Sequence, residues 1–312
     1  MPIMDIIYLN IETSSTAIIL KNIRIMTTKS NLKKINNRIT SSFKSSIKET
    51  LFQKLVRKEP VIIKDVQQSL LKGKKAIITG GNSGIGFAIA KKMVESGAVV
   101  TIIGSNEQRC KDAVKEIGSN SDYLIIDLTD TDAMIKAMTE YLQHTNVDIL
   151  VNSAGMRDKE PWLAKSSKGF DLVMNLNLKA PYFMSQVVAN DMIKKHIRGH
   201  ILNISSSSSE RPSWGAYQLS KRAMNGMTLG FAQRLACQGI IVNGIAPGVT
   251  LTPMVDDVLE KNSLTYNNPL RRASAPEEIA NLAVFLCSDL GNSVVGDTIM
   301  MTGGSGNLSI DY

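Results

Sequence analysis

Tyr217 and Lys221 stand four residues apart in a stretch of helical periodicity, which places both side chains on one helix face. An unperturbed phenol titrates near pH 10, about three units above neutrality, whereas general acid-base groups work best near the working pH. An ammonium beside the ring favours the phenolate and brings the group into a useful range. A tyrosine tuned in this way could give a proton to a carbonyl oxygen. Reduction of a ketone also needs a hydride source, and Thr79-Gly80-Gly81-Asn82-Ser83-Gly84-Ile85-Gly86 offers a place for one. This turn follows a short apolar run and opens a helix-period segment, where glycines let backbone N–H groups approach a pyrophosphate at the positive end of the helix.

Such residues need a scaffold, and the chain from Lys75 onward supplies a regular one. Short apolar runs recur at Ala76 to Ile78, Val99 to Ile103, Tyr123 to Ile126, Ile149 to Val151, Ile201 to Ile204, Ile240 to Val242 and Thr298 to Met301. Continuous Ile- and Val-rich runs of this length suit strands of a parallel sheet covered on both faces. Helix-period segments lie between them, among them Phe87 to Ser96, closed by Gly97 as C′ residue, and Pro276 to Ser288, with Ser274 as N-cap. The alternation predicts right-handed βαβ crossovers and an α/β fold, a doubly wound parallel sheet of about seven strands.

Composition sets limits on everything else. The 312 residues are 43% hydrophobic and 21% charged, which excludes global disorder and leaves enough apolar mass for a core. The formal net charge of +8 would suggest a nucleic-acid partner if it were spread over the fold. Instead, residues 1–74 hold 14 Lys and Arg against 5 Asp and Glu, while residues 75–312 hold 22 against 23. The globular part is close to neutral, so no nucleic-acid partner is expected. The division predicts a basic, partly helical extension over residues 1–72 and a catalytic domain over 73–312. The helix expected in the extension has Phe43, Ile47, Leu51 and Leu55 on one face, a capping box from Ser46 to Glu49, and Pro60 as its stop. That face would serve a contact within its own domain or with a sister subunit, or an anionic membrane surface.

No apolar run approaches the length of about 20 residues that spans a bilayer, and the N-terminus lacks the pattern of a secretory signal. Cys110, Cys237 and Cys287 are odd in number and far apart, which suits neither a disulfide framework nor a zinc site. They are expected as reduced, packed thiols in a cytoplasm. His144, His196 and His200 match no metal or catalytic spacing and are expected at the surface or at strand ends, and the 15 methionines as core fillers.

The spacing of Gly80, Gly84 and Gly86 resembles the TGxxxGxG signature of the classical short-chain dehydrogenase/reductase family, and further motifs of that family recur in order over residues 73 to about 304. Asp127-Leu128 looks like its adenine-contacting pair, and Asn152-Ser153-Ala154-Gly155 like its NNAG motif with Ser for the second Asn. Asn177 matches the catalytic asparagine, Ser206 the catalytic serine, and Tyr217-Gln218-Leu219-Ser220-Lys221 is a YxxxK. Pro247-Gly248 with Thr252 matches the nicotinamide-side motif. The resemblance implies a nicotinamide cofactor held by Gly80, Asn82, Ser83, Gly84, Ile85, Gly86, Ser105, Asn106, Asp127, Leu128, Asn152, Ala154, Gly155, Tyr217, Lys221, Pro247, Gly248 and Thr252. It implies Tyr217 as general acid, Ser206 as the hydrogen-bond partner of the substrate oxygen, Lys221 on the nicotinamide ribose, and Asn177 holding a water that links Lys221 to solvent. It also implies a homo-oligomer, tetramer or dimer.

One departure concerns the serine. Five consecutive serines, Ser205 to Ser209, blur the alignment, and Ser206 lies 11 residues before Tyr217, which shortens the loop 207–216. Asn203-Ile204-Ser205-Ser206 keeps the strand pattern and favours Ser206, with Ser205 the alternative. At the end of the second strand the family's usual acid position holds Gly104 and its usual arginine position Ser105. With no acid to repel a 2′-phosphate, and with Ser105, Asn106 and Arg109 as donors, the pattern leans to NADP, NAD remaining open. The activity implied is hydride transfer between NAD(P) and a ketone or secondary alcohol, with 3-oxoacyl-carrier-protein reductase as the commonest precedent. The glycine spacing and the N-terminal surplus disagree with an extended-type sugar epimerase, and the retained Asn177, Ser206, Tyr217 and Lys221 argue against an inactive cofactor-binding scaffold. Met156, Arg157, Arg211, Trp214 and residues 249–266 are the expected walls of a small-molecule substrate pocket.

Overall fold

In the computed structural model, which describes residues 69–254 and 268–306, the apolar runs form β1 (Lys75–Thr79), β2 (Val99–Gly104), β3 (Ser121–Ile125), β4 (Ile149–Asn152), β5 (His200–Ile204), β6 (Ile241–Pro247) and β7 (Thr298–Met301). They join in one sheet in the order β3-β2-β1-β4-β5-β6-β7, every pair parallel. The chain first builds outward from β1 to β3 and then from β4 to β7 on the other side. The crevice above the carboxyl ends of β1 and β4 is therefore the switch point where open α/β sheets bind ligands.

Both faces of the five inner strands are buried, as their Ile and Val runs require, whereas the edge strands β3 and β7 are only partly covered. On one side Ala76, Ile78, Val100, Ile102 and Val151 pack against α1 (Gly84–Glu95), α2 (Glu107–Ile117) and a late helix over Pro276–Leu286. On the other, Ile77, Ile103, Leu150 and Ile201 meet α3 (Thr131–His144) and the helices over Ala180–Lys194 and Ala216–Leu235. In chain order these last elements are α4 (Ser167–Met174), α5 (Ala180–Lys194), α6 (Ala216–Leu235) and α7 (Pro276–Leu286). A π-helical turn, Asn175–Lys179, joins α4 to α5. Met93, Met134, Met138, Met184 and Met192 are fully or almost fully buried and fill the core as expected, whereas Met254 is exposed.

Several local expectations need correction. The first helix starts at Gly84 rather than Phe87, because Gly84-Ile85-Gly86 carries no apolar periodicity to reveal its first turn; Gly97 follows its end at φ 92°. Helix α7 ends at Leu286 and is not capped by Ser274. The backbone of Ser274 is engaged with Val249 and Leu251, and the Glu278 carboxylate instead accepts the N–H of the N-cap residue Ala275 at 2.8 Å. Strand β3 starts at Ser121 and ends before Asp127, which lies in the following turn. Cys110 and Cys287 are packed thiols, but Cys237 is exposed beyond the end of α6. His144 and His196 are exposed, and His200 opens β5, where burial pulls its pKa down.

Leu71 is wholly buried in the core, and the N–H groups of Leu71 and Gly73 bond to Ser96 and Gly97 at 2.9 and 3.1 Å. The packed unit thus reaches upstream of residue 73. The helix expected over residues 43–57 and most of the expected pocket wall 249–266, namely residues 255–266, lie outside the described residues.

Candidate active site

Two adjoining cavities open along the carboxyl ends of the strands. The first, of about 380 Å³, is lined by Gly80, Asn82, Ser83, Gly84, Ile85, Gly86, Ser105, Asp127, Leu128, Ala154, Gly155, Tyr217, Lys221 and Thr252. The second, of about 490 Å³, holds Ser206, Arg157, Arg211, Trp214, Pro247 and Gly248. Ile85, Ser205, Tyr217, Thr252 and Met254 line both, so the tyrosine stands at their seam.

The glycine turn is shaped for an anion. Gly80 has φ 66°, and a Cβ on Gly86 would lie 2.4 Å from the Gly80 carbonyl oxygen, so the turn closes only without side chains. Helices α2, α3 and α4 satisfy their first N–H groups with Asn106, Asp130 and Ser166 side chains. The N-cap residue of α1, Ser83, makes no such bond, and the first turn of α1 carries no acid. Its N–H groups and dipole are left to the cleft, which fits a pyrophosphate. Behind the turn, the Thr79 hydroxyl accepts the N–H groups of Ser153 and Ala154 at 3.0 and 3.1 Å and so locks the β4 loop to β1.

Three polar side chains meet around the seam: Tyr217, which lines both cavities, Lys221 from the first and Ser206 from the second. Lys221 is 4% exposed and donates to the Ile204 carbonyl at 2.7 Å, with Nζ 5.9 Å from the centre of the Tyr217 ring. The Ser206 hydroxyl acts on the Tyr217 phenol, favouring its ionised form, and its Oγ accepts the Ser208 N–H at 3.1 Å. Ser205 faces the other way: its hydroxyl donates to Asn225 Oδ1 at 2.6 Å and contacts the Lys221 carbonyl at 3.2 Å. Neighbouring strand-end residues point to opposite sides, and Ser206 is the one on the phenol. Asn177, wholly buried in the π-helical turn, accepts the Met156 N–H at 2.9 Å and donates to the Met156 carbonyl at 2.8 Å and to Ser220 at 3.2 Å. Its side chain is a clamp on the β4 loop.

The electrostatics differ from the simple pairing of ammonium and phenol. Burial pushes the Tyr217 phenol up, opposed by the Ser206 hydroxyl and by the positive charge of Arg157. Burial also brings Lys221 down to about 8. At neutral pH the phenol therefore keeps its proton, which is the form a general acid needs.

Some expected ligands stand elsewhere. Asn152 is 1% exposed and donates to Ser185 Oγ at 2.9 Å and Asn203 Oδ1 at 2.8 Å, below the cleft floor. Asn106 lines neither cavity, because its oxygen accepts the Arg109 N–H at 2.9 Å as the cap of α2. Arg109, one turn on, does line the cofactor-side cavity, as does Thr129, which binds the Asp127 carboxylate through N–H and hydroxyl at 2.9 and 2.7 Å and holds its pKa down. A Cβ on Gly104 would lie 2.7 Å from Cys110 Sγ, which explains why no acid stands there. Sequence reasoning missed Asp158, Glu160 and Lys165 in the second cavity, since a charged loop residue shows its partners only after folding.

Comparison with known proteins agrees with this geometry. A family model described as enoyl-(acyl carrier protein) reductase matches residues 80–305. A 3α-hydroxysteroid dehydrogenase of Mediterraneibacter gnavus is 37% identical over 246 residues, covering 75% of this chain and 97% of that protein. A 3-oxoacyl-[acyl-carrier-protein] reductase of Aquifex aeolicus is 34% identical over 243 residues, 75% of this chain and 98% of its own. Among solved structures, a protein of Beutenbergia cavernae described as an NAD(P)-dependent gluconate 5-dehydrogenase, with NADP bound at low occupancy, superposes with a TM-score of 0.72 at 31% identity over 75% of this chain and 97% of that one.

Proposed function

Since the chain belongs to the short-chain dehydrogenase/reductase family, we propose that it is an NADP-dependent oxidoreductase that reduces a ketone to a secondary alcohol with Tyr217 as the proton donor. The observation that carries this reading is the placement of Tyr217 at the seam of the two cavities, with Ser206 in the second cavity acting on its phenol and buried Lys221 behind the ring. When bound, the cofactor supplies hydride to the carbonyl carbon.

The chain's own residues handle the oxygen. The two hydroxyls orient and polarise the C=O bond, and the phenol gives up its proton as negative charge develops on oxygen. Lys221 steadies the resulting phenolate and holds the nicotinamide ribose. Gly80, Ser83, Gly84, Ile85 and Gly86 carry the pyrophosphate, Asp127 and Leu128 the adenine, and Gly155, Pro247, Gly248 and Thr252 the nicotinamide end. Ser105 and Arg109 receive the 2′-phosphate, with Gly104 standing where an acid would repel it. The description of the matching family model names an enoyl reductase, but a serine and a tyrosine hydroxyl lining one cavity suit a carbonyl oxygen better than a carbon–carbon double bond.

The protein acts on a small-molecule carbonyl or alcohol as a homo-oligomer in the cytoplasm. Assembly is supported by Phe170, Leu172, Tyr182 and Leu229 on α4 to α6, which leave 37 to 62% of their surface exposed. Among the described residues no helix is long and apolar enough to cross a membrane. A panel of ketones and enoyl thioesters, followed by oxidation of NADPH and of NADH, tests the reading. Ketone turnover with NADPH preferred, and a preference reduced in Arg109→Glu, is the expected result; turnover confined to enoyl substrates overturns it.

A further inference from the structure

Resting on the oxidoreductase reading, we propose that the second cavity is built for a carbonyl substrate that carries an anionic group, a carboxylate or phosphate, and that Arg157 is the residue that selects it. The argument starts from how the β4 loop is held. Asn177 fixes the residue before Arg157 at both backbone groups, Met156 N–H at 2.9 Å and Met156 carbonyl at 2.8 Å. The residue after it, Asp158, is fixed as well: one carboxylate oxygen accepts the Tyr217 N–H at 2.9 Å, and the other pairs with Lys165 at 2.5 Å, both side chains being less than a fifth exposed. Arg157 is thus presented from a backbone pinned on either side, in the cavity that contains Ser206 and Tyr217.

The charges in this cavity do not cancel locally. Asp158 is consumed by Lys165 and the Tyr217 N–H, and Glu160 by the N–H and hydroxyl of Ser166 at 2.8 and 2.9 Å. Arg211 is anchored to Ser305 Oγ at 2.7 Å. Arg157 forms no ion pair or hydrogen bond among the described residues, yet its charge is felt at the phenol. A guanidinium on a fixed backbone close to the proton donor is a fork for a planar anion. A substrate anion there would pair with Arg157 while its carbonyl oxygen meets Ser206 and Tyr217.

The test uses the full-length protein with NADPH and a series of 2-, 3-, 4- and 5-oxo acids and keto sugar acids, each beside its methyl ester. The acids should exceed their esters in kcat/KM by about tenfold or more, mainly through KM. In Arg157→Met that ratio should collapse toward one, and Arg157→Lys should restore part of it. Arg157 lies on the surface, and NADPH binding by the variant confirms that it is folded. Esters turned over as well as acids, or a ratio that Arg157→Met leaves unchanged, overturns the inference while the oxidoreductase reading stands. Turnover of neither series by a chain that binds NADPH overturns both.

Discussion

At the scale of single residues, chemistry is divided between side chains that differ little in the sequence. Ser205 and Ser206 are adjacent and identical, yet one is bonded to Asn225 at 2.6 Å and the other acts on the phenol. Ser206→Ala should therefore lower kcat with stability nearly intact. Ser205→Ala should strip the Asn225 oxygen of its donor, lower stability by about 1–3 kcal/mol in denaturant titrations, and cost less in kcat. The reverse order of kcat losses would move the oxygen contact to Ser205. Tyr217→Phe removes the proton and keeps the ring, so kcat should fall about 100-fold or more with NADPH affinity within about twofold, checked by stopped-flow and fluorescence titration. Retention of a tenth of wild-type kcat would remove the tyrosine from its role. The spacing of Tyr217 and Lys221 was legible because helix geometry is local. Their titration was not, because desolvation depends on what the rest of the chain packs around them. With Lys221 at about 8, the lysine is cationic below that pH and neutral above it. The kcat/KM for NADPH, which reports groups of the free enzyme, should hold below pH 8 and decline above it, and Lys221→Arg should carry the decline to higher pH. A flat profile through pH 9 would contradict it.

At the scale of elements, the site depends on how α6 is fixed, since α6 carries both Tyr217 and Lys221. The strands were readable from Ile and Val runs, because burial on both faces leaves a continuous apolar signature. The fixing of α6 was not, because it is made by residues distant in sequence. Gly215, its N-cap residue, has no side chain to offer, and the carboxylate that replaces a local cap comes from Asp158, 59 residues away. A buried chain of amides and hydroxyls, from Asn152 through Asn203 to Thr228, ties β4 and β5 to the middle of the same helix at 2.8 and 3.0 Å. The motif containing Asn152 was visible in the sequence, but the tie it makes appears only once the strands are side by side. Asp158 is a positioning residue. Asp158→Ala should cost about 1 kcal/mol as a lost cap and lower kcat about tenfold, with NADPH affinity unchanged because the glycine turn is untouched. Asp158→Asn, which keeps an acceptor for the Tyr217 N–H, should restore most of kcat. Equal loss of kcat and NADPH affinity in Asp158→Ala would mean a general loosening of the fold instead.

At the scale of the whole molecule, charge and chemistry are segregated. Residues 1–74 hold 14 cationic and 5 anionic side chains, whereas residues 75–312 hold 22 and 23, and every motif used above belongs to the second group. The division was visible from counting alone, but its position was not. Leu71 has no partner in the sequence pattern, and only the packed fold shows it wholly buried, with the Leu71 N–H on Ser96 at 2.9 Å. A chain beginning at residue 69 keeps that contact together with all seven strands, so it should fold, bind NADPH within about twofold of the full chain and turn over the same ketones. The amphipathic basic stretch expected over residues 43–57 should then show its use by what is lost. A smaller assembly in light scattering would assign it to a contact between copies, and loss of co-sedimentation with anionic vesicles would assign it to a membrane surface. Because the exposed apolar residues of α4 to α6 are the contact proposed for assembly, the two measurements must be made on the same truncated protein. Loss of NADPH binding on truncation would show that the basic extension belongs to the catalytic fold and that charge segregation does not mark a functional boundary.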